Sequence, residues 1–448
     1  MLFLNFALFK LRESMIHVNL IKFIVLATAI ASACLVKAEN VDSLKCRNSG
    51  GIAYGKFRLG GYGEMLFSHY DYYPDRYSGT KGAPYDNRAC ISIPRYVLAM
   101  DYKFVPSVVL SSEIEFEYGG TGAAMEYEYN EAGEYELEVD HGGEVALEQV
   151  HLTKTFAPWL KLRAGHFIVP VGLTNTHHEP INFFGTVRAV GEMQMLPCTW
   201  HETGISVLGD IGQWNYNLML VSGLDPNFFS RDGFIKDGSQ KIFEGAKMTD
   251  PAFAGRLDFN GIRNTRLGVS AYYASKTTGN STKDDKMSEI DAPVTIVTAD
   301  AQYKGNKLVA RANIDYGHIG DSYRLSALNA TMSKITHIST FSHDAVASDA
   351  LTYSVEAGYN IGSLVKPGLS VYPFVRYEYY NTMEDVQGAI AKDDRMKCKL
   401  LTFGLNYYML PNLVLKGDYS HRIVGDGNYN NENTLSFAIA YIGWFESK

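Results

Sequence analysis

The sequence predicts an all-β fold: a transmembrane antiparallel β-barrel of about 16 strands, with short periplasmic turns and long extracellular loops. Three observations carry this. Segments of roughly ten residues alternate apolar and polar side chains at period two, the length and pattern of a tilted strand between lipid and water. The connections between them alternate between short and long. One face stays apolar in nearly every strand through Phe445, which a large soluble β-sandwich does not require.

The strands follow in order. Lys56–Phe67 sets Phe57, Leu59, Met65 and Phe67 against Lys56, Arg58, Tyr62 and Glu64. Arg95–Phe104 alternates Tyr96, Leu98, Met100, Tyr102 and Phe104 with Arg95, Val97, Ala99, Asp101 and Lys103. Val108–Tyr118 opposes Val108, Leu110, Ile114, Phe116 and Tyr118 to Val109, Ser111, Glu113, Glu115 and Glu117. An amphipathic helix would show a period of about 3.6 instead. Lys307–Tyr316, Leu351–Tyr359, Leu369–Tyr379 and Leu413–Arg422 repeat the pattern, with Arg311, Asp315, Glu356, Arg376, Glu378, Lys416, Asp418 and Arg422 on the polar face. The segments 144–155 and 293–303 alternate poorly, and their facing stays open. Tyr377, Tyr379, Tyr380, Tyr407 and Tyr408 sit near strand ends, as interface aromatics do.

Short turns fall at Val105–Ser107, Ala157–Pro158, Gly209–Gly212, Asn260–Asn264, Lys304–Asn306, Ile361–Gly368 and Pro411–Asn412. Long loops cover about 69–91, 119–143, 166–203, 223–252, 276–292, 318–348, 381–396 and 425–432. Seven turns and eight loops imply sixteen strands, an even number as bacterial single-chain barrels have. The last strand, Thr434–Phe445, carries Leu435, Phe437, Ile439, Tyr441 and Phe445 on one face, with Ser436, Ala438, Ala440 and Trp444 on the other. Phe437, Ile439, Tyr441 and Phe445 resemble the assembly signal of outer-membrane barrels. The strand is expected to close the barrel against Lys56–Phe67, leaving no edge in lipid.

The N-terminus reads as an export signal over residues 1–38. Lys22 precedes an apolar stretch from Phe23 to Leu35, and Val36-Lys37-Ala38 offers a small-x-small cleavage site; Met15 is an alternative start. Ala31-Ser-Ala-Cys34 makes a poor lipobox. Residues 39–55 form a polar periplasmic lead-in, and 56–445 the barrel. Apart from the N-terminus, no apolar run is long enough for a transmembrane helix. The chain has a net charge of -8 over 448 residues. Removal of Lys10, Arg12, Lys22, Lys37 and Glu13 with the signal leaves 37 basic against 48 acidic residues, which disfavours a nucleic-acid partner. Cys46, Cys90, Cys198 and Cys398 are too few for a disulfide framework, and no pair is predicted.

The third long connection stands out. From His166 to Thr203 it is rich in Phe, Val, Met and Pro rather than Ser and Gly. Long loops are functional or disordered, and this composition argues for order. Such a loop can fold inward, bury its apolar residues and narrow a channel. His166, His177, His178, Glu179, Arg188, Glu192, His201 and Glu202 are its candidate constriction residues. Histidines there would make the constriction pH-responsive. Adjacent histidines lack the i, i+4 register of a helical zinc site, so no metal is expected, and no cofactor. No Gly-x-Ser-x-Gly or aligned Ser/His/Asp set supports catalysis.

The run Leu160-Lys-Leu-Arg-Ala-Gly-His-Phe-Ile-Val-Pro-Val-Gly172, followed by Pro197-Cys-Thr-Trp-His-Glu-Thr-Gly204, resembles the phosphate-selective porin O and P family of Gram-negative outer membranes. That resemblance implies a sixteen-stranded barrel, an inward loop, a homotrimer, and in several members an anion channel. Its partners would be outer-membrane lipid and small hydrophilic solutes or inorganic anions. The candidate lumen bases Lys56, Arg58, Arg95, Lys103, Lys161, Arg163, Arg256, Arg311, Arg376, Lys416 and Arg422 are nearly balanced by Glu64, Asp101, Glu113, Glu115, Glu117, Asp258, Asp315, Glu356, Glu378 and Asp418. Anion selection needs a positive surplus at the narrowest point, so the sequence favours a passive diffusion porin. A phosphate-type anion channel and a plugged surface-binding barrel are the alternatives. The acidic stretch Glu126–Glu144 reads as a solvated extracellular hairpin; it lacks calcium-loop spacing.

Overall fold

The computed structural model describes residues 55–447 apart from 73–80, 83, 85–86, 121–124, 131–133, 140–142, 241–244, 282–288 and 337–344. The export signal, its cleavage site, most of the lead-in and Cys46 lie outside the described residues.

Sixteen antiparallel strands close a barrel. They are β1 (Phe57–Tyr70), β2 (Arg88–Val105), β3 (Val108–Glu117), β6 (Glu144–Ala157), β7 (Leu160–Ile168), β8 (His201–Ile211), β9 (Trp214–Val221), β10 (Ala252–Ile262), β11 (Thr265–Ala274), β12 (Val294–Lys304), β13 (Leu308–Ile319), β14 (Asp349–Tyr359), β15 (Ser370–Asp385), β16 (Lys397–Leu410), β17 (Leu413–Val424) and β18 (Glu432–Ser447). A separate hairpin, β4 (Met125–Asn130) with β5 (Glu134–Val139), lies in the acidic stretch between β3 and β6. Every barrel strand pairs with its sequence neighbours, and β1 pairs with β18, from Tyr70 opposite Thr434 to Arg58 opposite Ser447. The closing pair is the one expected, and all seven short turns fall where expected. Closure leaves the barrel no unpaired strand edge.

The wall alternates as the pattern required. On β18, Phe437 and Ile439 are 53% and 46% exposed while Ala438 and Ala440 are buried. Leu401, Phe403 and Leu405 on β16 and Val375 and Tyr377 on β15 continue the exposed apolar surface. Phe104, Phe156, Trp159 and Trp214 crown the short-turn ends. The tyrosine clusters divide by strand parity. Tyr377 and Tyr407 face outward, whereas Tyr380 turns inward and is buried, so clustered aromatics are not all interface groups.

Both segments of open facing now have physical explanations. In β6 the register against β3 skips from Gln149 opposite Glu113 to Leu147 opposite Ile114. Glu148 is the extra residue of a β-bulge, and the bulge breaks the alternation. In β12 the alternation is regular, but Val294 and Ile296 point inward beneath apolar loops while small Ala299 and Ala301 share the outer face. Cys90, Cys198 and Cys398 form no disulfide among themselves.

An apolar core fills part of the barrel at its long-loop end. Val169, Val171, Met195, Leu196 and Trp200 come from the loop after β7. Leu224, Phe229, Phe234 and Ile235 come from the loop after β9, and Tyr272, Val294, Ile296 and Ile319 from the wall. The second loop's inward fold was not anticipated. Its Phe228-Phe-Ser-Arg-Asp-Gly-Phe-Ile235 carries the same apolar signal as the first.

Candidate pore constriction

The loop between β7 and β8 folds into the barrel as two short helical turns, α1 (Leu173–Thr176) and α2 (Val190–Met195). It enters through Gly172, whose φ of 84° lies in the left-handed region that favours glycine; a Cβ there would run into the Glu192 carboxylate. Glu192 is the loop's internal fastener. Its two oxygens accept the backbone N–H groups of Leu173 (3.1 Å), Thr174 (3.0 Å) and Asn175 (2.9 Å), and Asn313 Nδ2 of β13 donates at 3.0 Å. Burial pushes its carboxyl up to about 7.

The wall grips the loop's backbone by a simple rule: acids take N–H groups and bases take carbonyls. Glu378 accepts from the Gly191 amide (3.1 Å), Glu356 from Phe184 (3.3 Å) and Asp418 from Thr186. Arg376 donates to the Val187 carbonyl (2.9 Å) and Arg95 to that of His178 (2.8 Å). Lys416, fully buried, donates to Phe183 (2.8 Å), Gly185 (2.9 Å) and Pro180. Phe184 stacks on Phe374 at 5.5 Å with Arg311 above it at 5.3 Å. Wall charges also pair with each other: Arg256 with Asp300 (2.7 Å), Arg376 with Glu378 (2.7 Å), Arg422 with Glu432 (2.7 Å), Arg311 with Glu356, and Arg58 with Asp101.

The sequence-derived candidates therefore divide. His177, His178, Glu179, Arg188 and Glu192 all lie inside the barrel on the folded loop. Arg163 joins Arg58, Asp101, Glu113, His151 and Glu179 around a polar cavity of about 300 Å³ beneath it. Lys161 pairs with Asp210 at 3.0 Å near the short-turn mouth. His166 and His201 are both buried. Phe167 pairs with Glu202 on the inner face, so the pairs His166–Thr203 and Ile168–His201 have the opposite parity. His166 Nδ1 meets Thr203 Oγ1 at 2.8 Å on that outer face. Glu202 points in but is fully buried behind Trp200 Nε1 (3.2 Å) and Ser222 Oγ (2.7 Å).

The expected pH-responsive histidines are also revised. Burial, reinforced by Arg266 at 2.9 Å from its Nε2, holds His177 well below the usual range. Burial lowers His178 to about 4. Burial thus disfavours the charged form of both rings, while it pushes the carboxyls of Glu192 and Glu202 up to about 7. Sequence reasoning missed Glu148, because the bulge hid its facing. It also missed the clamping role of Lys416, Glu356 and Glu378, because a loop's landing points have no local signature.

No family model matches this sequence. An uncharacterized protein of Aquifex aeolicus is 27% identical over 374 residues, covering 81% of this chain and 74% of the other. OmpF of Salmonella typhi, solved with daunomycin, superposes with a TM-score of 0.52 at 10% identity over 86% of this chain and 97% of its own. The fold is the porin barrel. The anion-selective porin of Comamonas acidovorans is similar at a TM-score of 0.50 and 10% identity, over 86% and 99% of the two chains. The outer-membrane channel DcaP of Acinetobacter baumannii is similar at 0.50 and 11%, over 86% and 97%.

Proposed function

We propose that this chain is a porin of a Gram-negative outer membrane, a passive channel in which small hydrophilic solutes diffuse past a constriction formed by residues 169–200. The observation that carries this reading is the loop clamped across a polar lumen by charges from β2, β14, β15 and β17. An exposed apolar exterior on a closed barrel supports the membrane setting. Weak ion selectivity follows from where the charges go. Arg95, Arg256, Arg376 and Lys416 are occupied by loop carbonyls and carboxylates. The cavity rim offers Arg58 and Arg163 against Asp101, Glu113 and Glu179, so no positive surplus favours phosphate-like anions.

Single-channel recording in planar bilayers tests this. Steady ohmic conductance with a small reversal potential in a salt gradient is the expected result. A strongly anion-selective reversal potential would instead favour the phosphate-type channel. One observation favours a second reading, the plugged surface-binding barrel: the apolar core that two loops build inside the long-loop half. Complete absence of ion current in folded protein would establish that reading over the porin. Trimeric assembly, which the porin O and P resemblance implies, is read by native mass measurement.

A further inference from the structure

Below the loop, His178 makes a contact that its own hydrogen bonds do not satisfy. Its Nδ1 faces the Asn175 carbonyl oxygen at 3.0 Å, which can only accept, so Nδ1 carries the proton. In the neutral ring Nε2 is then a lone pair. It faces Glu148 Oε1 at 3.2 Å, acceptor against acceptor. Neither atom has a hydrogen-bond partner, and the two residues are 5% and 0% exposed. Glu148 is held in this pose by the bulge in β6 and by Tyr62, whose hydroxyl donates to its other oxygen at 3.1 Å. A third ligand-type side chain, Glu113 of β3, brings a carboxylate oxygen to the same point, and the three donor atoms lie within 4.8 Å of one another.

We propose that Glu113, Glu148 and His178 form a binding site for one divalent transition-metal cation of the zinc or manganese kind. A cation between Nε2 and Oε1 turns the facing lone pairs from a repulsion into two bonds. One imidazole with two carboxylates suits borderline ions, whereas calcium and magnesium take oxygen donors throughout. Bonds of about 2.0–2.2 Å set tetrahedral donors about 3.4 Å apart, so donors that lie within 4.8 Å of one another draw together by about 1.4 Å at most as an ion binds. The charge balance agrees. Five carboxyl groups, Glu64, Glu113, Glu115, Glu148 and Glu179, crowd the site against two guanidinium groups, Arg95 and Arg188. The outer contacts, Asn175 carbonyl on Nδ1 and Tyr62 on the carboxylate, are of the kind that orient ligands in metal sites. Glu113 and His178 line the polar cavity, so an ion reaches the site through water. The loop residue His178 would thereby be bonded to the wall strands β3 and β6.

The test uses the full folded chain in detergent, stripped with chelator, and Zn²⁺ or Mn²⁺ alone as probe. Binding is measured by equilibrium dialysis with elemental analysis, a readout that does not depend on conduction. One high-affinity ion per chain is expected. Glu148→Gln and His178→Asn should each weaken it by about 100-fold or more, the upper range for loss of an outer partner. Tyr62→Phe should weaken it by about tenfold, and His69→Gln on the outer wall should leave it unchanged. Folding of each variant is checked by heat-modifiable migration. Absence of binding overturns the proposal and assigns a shared proton to the contact. So does binding that survives both Glu148→Gln and His178→Asn, since it then sits elsewhere on the protein. Loss of binding in Glu113→Gln with the barrel folded supports the three-ligand set even if His178→Asn disturbs the loop.

Discussion

Lys416 is the strongest single attachment between wall and loop, and replacing it by Met isolates what the attachment does. The ammonium has three N–H donors and spends them on three carbonyls, Pro180, Phe183 and Gly185, with the Phe183 ring 4.2 Å away. Met fills nearly the same volume and donates nothing. Each carbonyl left buried and unpartnered costs about 1–3 kcal/mol. Three of them give about 3 kcal/mol even at the low end. At about 1.4 kcal/mol per decade, the closed position of residues 180–186 loses roughly a hundredfold in population relative to released ones. The barrel itself should hold, since β17 keeps its backbone ladders to β16 and β18. The expected result is faster hydrogen exchange at the Phe184 and Thr186 amides, with larger and noisier single-channel conductance. Lys161→Met is the control. Its partly exposed pair with Asp210 is of the surface kind, worth about 0–1 kcal/mol, and should change neither reading. Unchanged exchange across residues 180–186 in folded Lys416→Met would refute the clamp.

The remaining predictions concern pH and assembly. Because burial lifts the Glu192 carboxyl to about 7, the closed loop binds its proton more tightly than an exposed carboxyl does. Closure is therefore favoured below the exposed value of about 4.3 and weakens as pH rises through 7, by at most about 4 kcal/mol. Intrinsic-rate-corrected exchange of the Leu173, Thr174 and Asn175 amides should rise between pH 5 and 8 and lose its pH dependence in Glu192→Gln; a flat wild-type profile sinks this assignment. On the outer face, Ile439→Lys should lower the folded fraction by about 2–4 kcal/mol if the residue sits near mid-bilayer, read by heat-modifiable migration after refolding into vesicles. Phe445→Ala should slow assembly while leaving the conductance of assembled channels unchanged. Wild-type assembly of both variants would remove the assembly role from β18.

The barrel was legible because lipid and water impose a period of two on every strand and closure imposes an even count, so fifteen connections sufficed to place the strands. The same logic failed where the local rule was broken for a reason. Glu148 was lost to a bulge, and β12 was obscured because its inner face turns apolar beneath the loop core. The inward loop was legible from composition. Two of its histidines, His166 and His201, belong to strand ends, where one step of parity reverses the face a side chain takes. The loop after β9 carries the same apolar signal in Phe228–Ile235.

The near balance of wall charges follows from what the wall holds. A backbone presents N–H and C=O groups in equal number, and a loop buried without a sheet beside it must find partners for both. Carboxylates on β14, β15 and β17 serve the N–H groups of Gly191, Phe184 and Thr186. Guanidinium and ammonium groups on β2, β15 and β17 serve the carbonyls of His178, Val187, Phe183 and Gly185. A wall built for this task needs acids and bases together, and a ladder of bases alone would leave the loop's amides stranded. Under the proposed porin reading, the sign of any residual selectivity rests on charges not engaged by loop backbone, such as Arg163 and Lys161 against Glu179 and Asp210. Counting charges along the strands overstates the free charge of the lumen, because Glu356, Glu378, Asp418, Arg95, Arg376 and Lys416 bind loop backbone and others pair with each other.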